Sequence, residues 1–239
     1  MSKGLLVLLL ACASAAHADI WHNGDLTTYT QDNWGGHPNM DAGAALLVAS
    51  CDTVYAGTFG LATVGSISRF TMTFTDAASV LAYMPAIGPF APLNGSVLNP
   101  ISTGSGAFGG ETLGLEFNVD FSDAGFLPGA SGILFGDLIL ENFSTQPAFN
   151  GLKVRQFLGD INTLLGGGST VFSIADLGTT VGDINASFSA GTPSAFAQDH
   201  LVAPASPVPE PSSLPLLIIA ALGLGLFRTM RHSHSQRSE

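Results

Sequence analysis

Glu116, Asn118 and Asp120 occupy alternate positions of one run, with Asp123 just beyond. Carboxylates spaced in this way can bind a cation, hold a sugar, or divide acid and base roles in glycoside hydrolysis. On an extended strand, alternate side chains share a face about 6–7 Å apart, too far for one ion without help from a neighbouring strand. A solvated face of an acidic protein presents the same pattern and is the first expectation. A cation or sugar face at Glu116, Asn118 and Asp120 is the second, and catalysis the last. Trp21, Tyr29 and Trp34 lie beside Asp32 and Asn33. Rings next to amides suit a sugar site, but anchoring of the domain's first residues is the favoured reading. His22, His37 and His200 lack metal-ligand spacing. The chain holds no Gly-x-Ser-x-Gly, Walker loop or dinucleotide fingerprint, so no catalytic residue is assigned and no enzyme is expected.

Leu158-Gly159-Asp160-Ile161-Asn162 recurs as Val181-Gly182-Asp183-Ile184-Asn185. The repeat resembles dockerin-like calcium loops, yet its ligand spacing departs from theirs. Counting from Asp160, the fifth, sixth and twelfth positions are Leu164, Leu165 and Val171, where a calcium loop needs an acid, a glycine and an acid. Helical spacing accounts for Ile161 and Ile184 as core positions and places the Asp and Asn residues on solvated faces. No cofactor is therefore expected, with Ca²⁺ kept only as an alternative. Cys51, among Val48, Ala49 and Val54, reads as a small buried residue with no adjacent histidine to activate it.

Local pattern supplies the elements that must hold these residues. Asp19 to about Gly43 is turn-rich. Phe70, Met72 and Phe74 alternate with polar residues, as a half-buried strand requires. Four prolines between Met84 and Pro100 make that stretch a long loop. The clearest alternation is Leu113, Leu115, Phe117, Val119 and Phe121, followed by turn signals and a further strand over Ile133–Leu140. The period then changes: Val154, Phe157, Leu158, Ile161 and Leu165 predict a helix ended by Gly166-Gly167-Gly168. Ser173 and Asp176 resemble a capping box opening a second helix, which Gly191-Thr192-Pro193 stops. The expected class is mainly β. It is an antiparallel β-sandwich-like domain with a helical hairpin at about 151–190, plus a C-terminal transmembrane or sorting helix.

Both ends carry targeting patterns. Lys3, the apolar Leu5–Ala11 and Ala16-His17-Ala18 form a signal peptide over 1–18, with the peptidase site at Ala16 and Ala18. A lipoprotein reading through Cys12 is poorly served by bulky Leu10. At the other end, Val208-Pro209-Glu210-Pro211 precedes the apolar Leu214–Phe227 and the basic Arg228, Arg231 and Arg237. The apolar run covers roughly 21 Å of a hydrocarbon core about 30 Å thick, short for a permanent span. Its basic exit follows the positive-inside rule.

This order of motif, apolar run and basic tail resembles the PEP-CTERM sorting signal of Gram-negative bacteria. The resemblance implies export, transient retention in the inner membrane and processing by an exosortase-type enzyme. A sortase signal is excluded, since Leu214-Pro215 is followed by Leu216. Phe108-Gly109-Gly110-Glu111-Thr112-Leu113 through Asn118-Val119-Asp120-Phe121-Ser122-Asp123, then Phe135-Gly136-Asp137-Leu138, Asn150-Gly151-Leu152 through Phe157-Leu158 and Leu165-Gly166-Gly167-Gly168, resemble over about 98–201 a passenger type of such surface proteins, which brings no established activity.

With the leader and basic tail removed, three basic residues face seventeen acids, a net charge of about −14. That excludes nucleic acid as a partner and disfavours anionic membrane surfaces. Loss of Cys12 leaves Cys51 unpaired, so no internal disulfide is expected. The organisation expected is a signal peptide (1–18), a passenger (19–200), a Pro-rich linker (201–213), a membrane segment (214–230) and a basic tail (231–239). The expected function is an exported envelope or extracellular-matrix protein with a structural or interaction role. Its expected partners are the processing enzyme, the bilayer through 214–230 and an extracellular polysaccharide. A carbohydrate- or calcium-binding module is the alternative, and a polysaccharide-acting enzyme comes last.

Overall fold

The run that alternates best, Leu113 to Phe121, is not a strand. It lies inside a helix, Ala107–Asp123, that forms the core of the domain. The computed structural model describes residues 21–56 and 62–205. In chain order the elements are α1 (Gln31–Trp34), α2 (Ala42–Val54), β1 (Ala62–Gly65), β2 (Thr71–Phe74), α3 (Ala77–Tyr83) and β3 (Val97–Leu98). There follow α4 (Ala107–Asp123), β4 (Ile139–Leu140), α5 (Val154–Leu165), α6 (Ile174–Asn185), α7 (Ala195–His200) and β5 (Leu201–Val202). Described residues up to Pro204 belong to one compact unit.

Why α4 is helical follows from where its apolar residues go. At 100° per residue, Leu113, Phe117 and Phe121 form one stripe, while Leu115 and Val119 point to the other side. All five are buried. Apolar residues on every side mark a helix wrapped by protein, not a surface helix. α1, α5 and α6 all pack on α4, and so does β1. Close approach is built in at Gly110, where a Cβ would run into the Gln31 carboxamide and the Ala86 methyl. The helix starts at Gly106, whose φ of +57° suits glycine and whose added Cβ would strike the Pro89 carbonyl.

The β-sandwich expectation is thus corrected, since helix outweighs strand in the described residues. Two small sheets remain. β1 pairs antiparallel with β2, placing Val64 opposite Met72, and β2 pairs parallel with β3. Met72 and Phe74 are buried as their alternation requires, whereas Phe70 stays outside the strand and exposed. The second sheet joins β4 to β5, Leu140 opposite Leu201. Only Ile139 and Leu140 of the expected Ile133–Leu140 strand pair as a strand; Phe135–Asp137 is a 3₁₀ turn. The turn-rich stretch from Asp19 to about Gly43 holds the short α1, and α2 beyond it, which buries Leu47 and Cys51, has no counterpart among the expected elements.

Helices α5 and α6 stand where the period change puts them. The Lys153 N–H donates to Gln156 Oε1 at 2.8 Å at the start of α5. At the start of α6 the Asp176 N–H donates to Ser173 Oγ at 3.2 Å. Both helices pack chiefly on α4, and α5 also packs on β1 of the three-stranded sheet.

No helix among the described residues is long and apolar enough to cross a membrane, which corrects the expected architecture of a sandwich with a transmembrane helix. Residues 214–230, assigned to that span, lie outside the described residues, as do the 1–18 leader, Val208–Pro211, Arg228, Arg231 and Arg237.

Candidate functional site

Because the run is helical, Glu116, Asn118 and Asp120 do not share a face. Glu116 and Asp120, four apart, are neighbours on one side of α4; Asn118 and Glu111, seven apart, lie on the opposite side. The face expected to carry a cation or a sugar is therefore split in two.

Asn118 is fully buried and its amide is fully used. Its Oδ1 accepts from the Tyr29 N–H at 2.9 Å and from Trp34 Nε1 at 3.3 Å. Its Nδ2 donates to the Tyr29 carbonyl at 2.8 Å and to Asn185 Oδ1 at 3.0 Å. Asn185 Nδ2 in turn donates to the Glu111 backbone carbonyl at 2.9 Å and to Glu111 Oε2 at 2.8 Å. Gln31 Nε2 donates to Glu111 Oε1 at 2.8 Å. Desolvation still pushes the Glu111 carboxyl up, against the pull of the Asn185 and Gln31 hydrogen bonds. This chain of bonds ties the N-terminal segment to α4 and α6 and leaves no buried side-chain polar atom unpaired among the described residues.

The opposite face is less well supplied. Asn162 Nδ2 donates to Glu116 Oε2 at 3.1 Å, and the Tyr55 hydroxyl donates to Asp120 Oδ2 at 2.8 Å. Desolvation, and then the Asp120 charge, push the Glu116 carboxyl up to about 7; the Asn162 bond pulls the other way. Asp120 is also raised, mainly by desolvation. Burial holds the Tyr55 hydroxyl well above the usual phenol range, with Asp120 adding to the effect. The pair can hold a proton near neutral pH.

Trp21 and Trp34 offer no open sugar platform. Trp34 is fully buried, its ring centroid 5.3 Å from Phe117 and 5.0 Å from Phe121. Trp21 packs edge-on against Phe188 at 5.3 Å and donates from Nε1 to the Leu201 carbonyl at 2.7 Å. Cys51 is buried and unpaired, and its thiol is pushed up by burial and by Asp52, so it is no ready nucleophile. No group of three His, Cys, Asp or Glu side chains gathers in a metal-holding arrangement among the described residues.

The repeated Gly-Asp-Ile-Asn finds its explanation here. Ile161 and Ile184 are buried, as spacing requires. Asn185 is buried and Asn162 partly buried, and each reaches a glutamate of α4, Asn162 to Glu116 and Asn185 to Glu111. The aspartates face outward, and Asp183 opens onto a groove of about 550 Å³ that the sequence did not reveal. Asp176, Thr179 and Asp183 line one wall, and Phe143, Phe196 and His200 line the other. The imidazole of His200 stacks on Phe143 with ring centroids 4.4 Å apart and 28° between planes, and lies 4.9 Å from Phe196. Burial pushes the Asp183 carboxyl up, while nearby His200 pulls it down. Two signals pointed this way: the i, i+3, i+7 spacing of the polar residues on α6, and the i, i+4 spacing of Phe196 and His200. Nothing local brings the 142–146 loop to them.

No family model, curated protein or solved structure matches the chain.

Proposed function

We propose that this chain is an exported envelope or extracellular-matrix protein whose passenger works by interaction and not by catalysis. It is trimmed near Val208-Pro209-Glu210-Pro211 by an exosortase-type enzyme. The observation that carries this reading is the unbroken order Val208-Pro209-Glu210-Pro211, apolar run, then Arg228, Arg231 and Arg237, opposite a signal peptide ending at Ala16-His17-Ala18. The passenger adds support in its charge and in its polar interior. A net charge of about −14 keeps it off nucleic acid and anionic lipid. The carboxylates that first suggested chemistry, Glu116 and Asp120, are engaged by the Asn162 amide and the Tyr55 hydroxyl.

Intact mass of the protein recovered from envelope fractions, with and without the exosortase, tests the proposal. The expected result is a chain lacking its C-terminal segment only where the enzyme is present. An identical C-terminus in both strains would sink the processing claim.

A further inference from the structure

We propose that the groove between α6 and the Asn142–Gln146 loop binds an oligosaccharide carrying free amino groups. Its two walls differ in kind. On α6, Asp176, Thr179 and Asp183 lie at i, i+3 and i+7, so one helix face presents two carboxylates and a hydroxyl along about 10 Å. That reach matches two linked sugar rings. Facing them, Phe143, His200 and Phe196 form an aromatic wall.

The aromatic wall is held in place before any ligand arrives. His200 Nδ1 lies 3.0 Å from the Glu141 carbonyl, and Asn142 Nδ2 donates to the Asp199 carbonyl at 2.8 Å. Asn150 accepts from the Phe143 N–H at 2.8 Å and donates to the Phe143 carbonyl at 3.1 Å. Fixing the rings beforehand lowers the ordering cost of binding.

The groove's chemistry selects its ligand. Asn142, Ser144, Thr145 and Gln146 supply amides and hydroxyls of the kind that pair with sugar hydroxyls. The lining holds two carboxylates and neither Lys nor Arg, in a passenger that is itself strongly acidic. Uronate, phosphate and sulfate groups are repelled there. A protonated amine is attracted both by Asp183 and by aromatic faces. The ring of His200 adds to the aromatic surface of that wall.

This site deepens the interaction role proposed above and is independent of the C-terminal signal. Binding without processing, or processing without binding, therefore tells the two claims apart.

Calorimetry on the purified full chain uses four probes: a glucosamine tetramer, its N-acetylated form, a galacturonate tetramer and tetralysine. The glucosamine tetramer is expected to bind, the N-acetylated form about tenfold more weakly and the galacturonate tetramer not at all. Asp183→Asn, at an exposed position, is expected to weaken glucosamine binding about tenfold with an unchanged unfolding profile. Phe196→Ala is expected to weaken it as well. The proposal is overturned if galacturonate binds as tightly, if Asp183→Asn changes nothing, or if none of the four binds. Tetralysine matching the glucosamine tetramer would overturn it in favour of a basic peptide.

Discussion

The two copies of Gly-Asp-Ile-Asn share a sequence and an orientation on α4, yet they do different work. In the second copy Asn185 closes a dense network around Glu111, and Asp183 lines a groove. In the first, Asn162 is the side chain bonded to Glu116, while Asp160 takes no part in that groove. Glu111 has two side-chain donors, Gln31 and Asn185. Among the described residues Glu116 has one side-chain donor, Asn162, and a carboxylate neighbour, and its carboxyl rises to about 7. The number of donors aimed at a half-buried carboxylate, and the charge beside it, decide whether it stays ionised at neutral pH.

The contrast breaks most sharply at Asn185. Asn185→Ala removes both bonds to Glu111 and one of the two bonds made by Asn118 Nδ2, so a loss of about 3 kcal/mol in denaturant unfolding is expected. The next effect belongs to Glu116 and depends on pH. Below about 4.5 the carboxyl is protonated both folded and unfolded and costs nothing. Between there and about 7 the unfolded chain binds fewer protons than the folded one, so stability falls as pH rises and then levels off. With allowance for solvent screening, that fall is on the order of 2 kcal/mol. Glu116→Gln is expected to flatten this part of a stability profile measured across pH 4–8.

Asn162→Ala is milder at about 1 kcal/mol, since it loses a bond to Glu116 and one to the Gly65 N–H at a partly exposed site. It also removes the one hydrogen bond that lowers the Glu116 carboxyl, so the midpoint of the pH profile should move upward. Smallest are Asp160→Asn and Asp183→Asn, both expected within about 0.5 kcal/mol of the parent in thermal unfolding. They separate only in binding, where Asp183→Asn alone has an effect.

The sequence carried some of this and hid the rest for physical reasons. α5 and α6 were legible because each has a core-facing stripe at helical spacing; Gly166 ends α5 as expected, whereas α6 ends at Asn185, short of the expected stop at Gly191-Thr192-Pro193. β2 was legible from Met72 and Phe74. α4 was misread because residues 113–121 alternate strictly, and a helix buried on all sides has no polar face to betray its period. That one error moved Asn118 from an expected open face into the interior, and it made a sandwich of a helix-centred domain. Trp21 and Trp34 fit the anchoring expected of them. The groove escaped notice because its walls meet only in the fold, with Phe143 some forty residues before Asp183 and no local pattern linking them.

Mapping amide chemical shifts of the full chain during titration with the glucosamine tetramer tests most directly whether only the second copy of the motif serves binding. The largest changes are predicted at Phe143, Thr179, Asp183 and His200, with Asp160 to Asn162 unmoved. Changes centred on Asp160, or spread equally over both copies, would contradict the account.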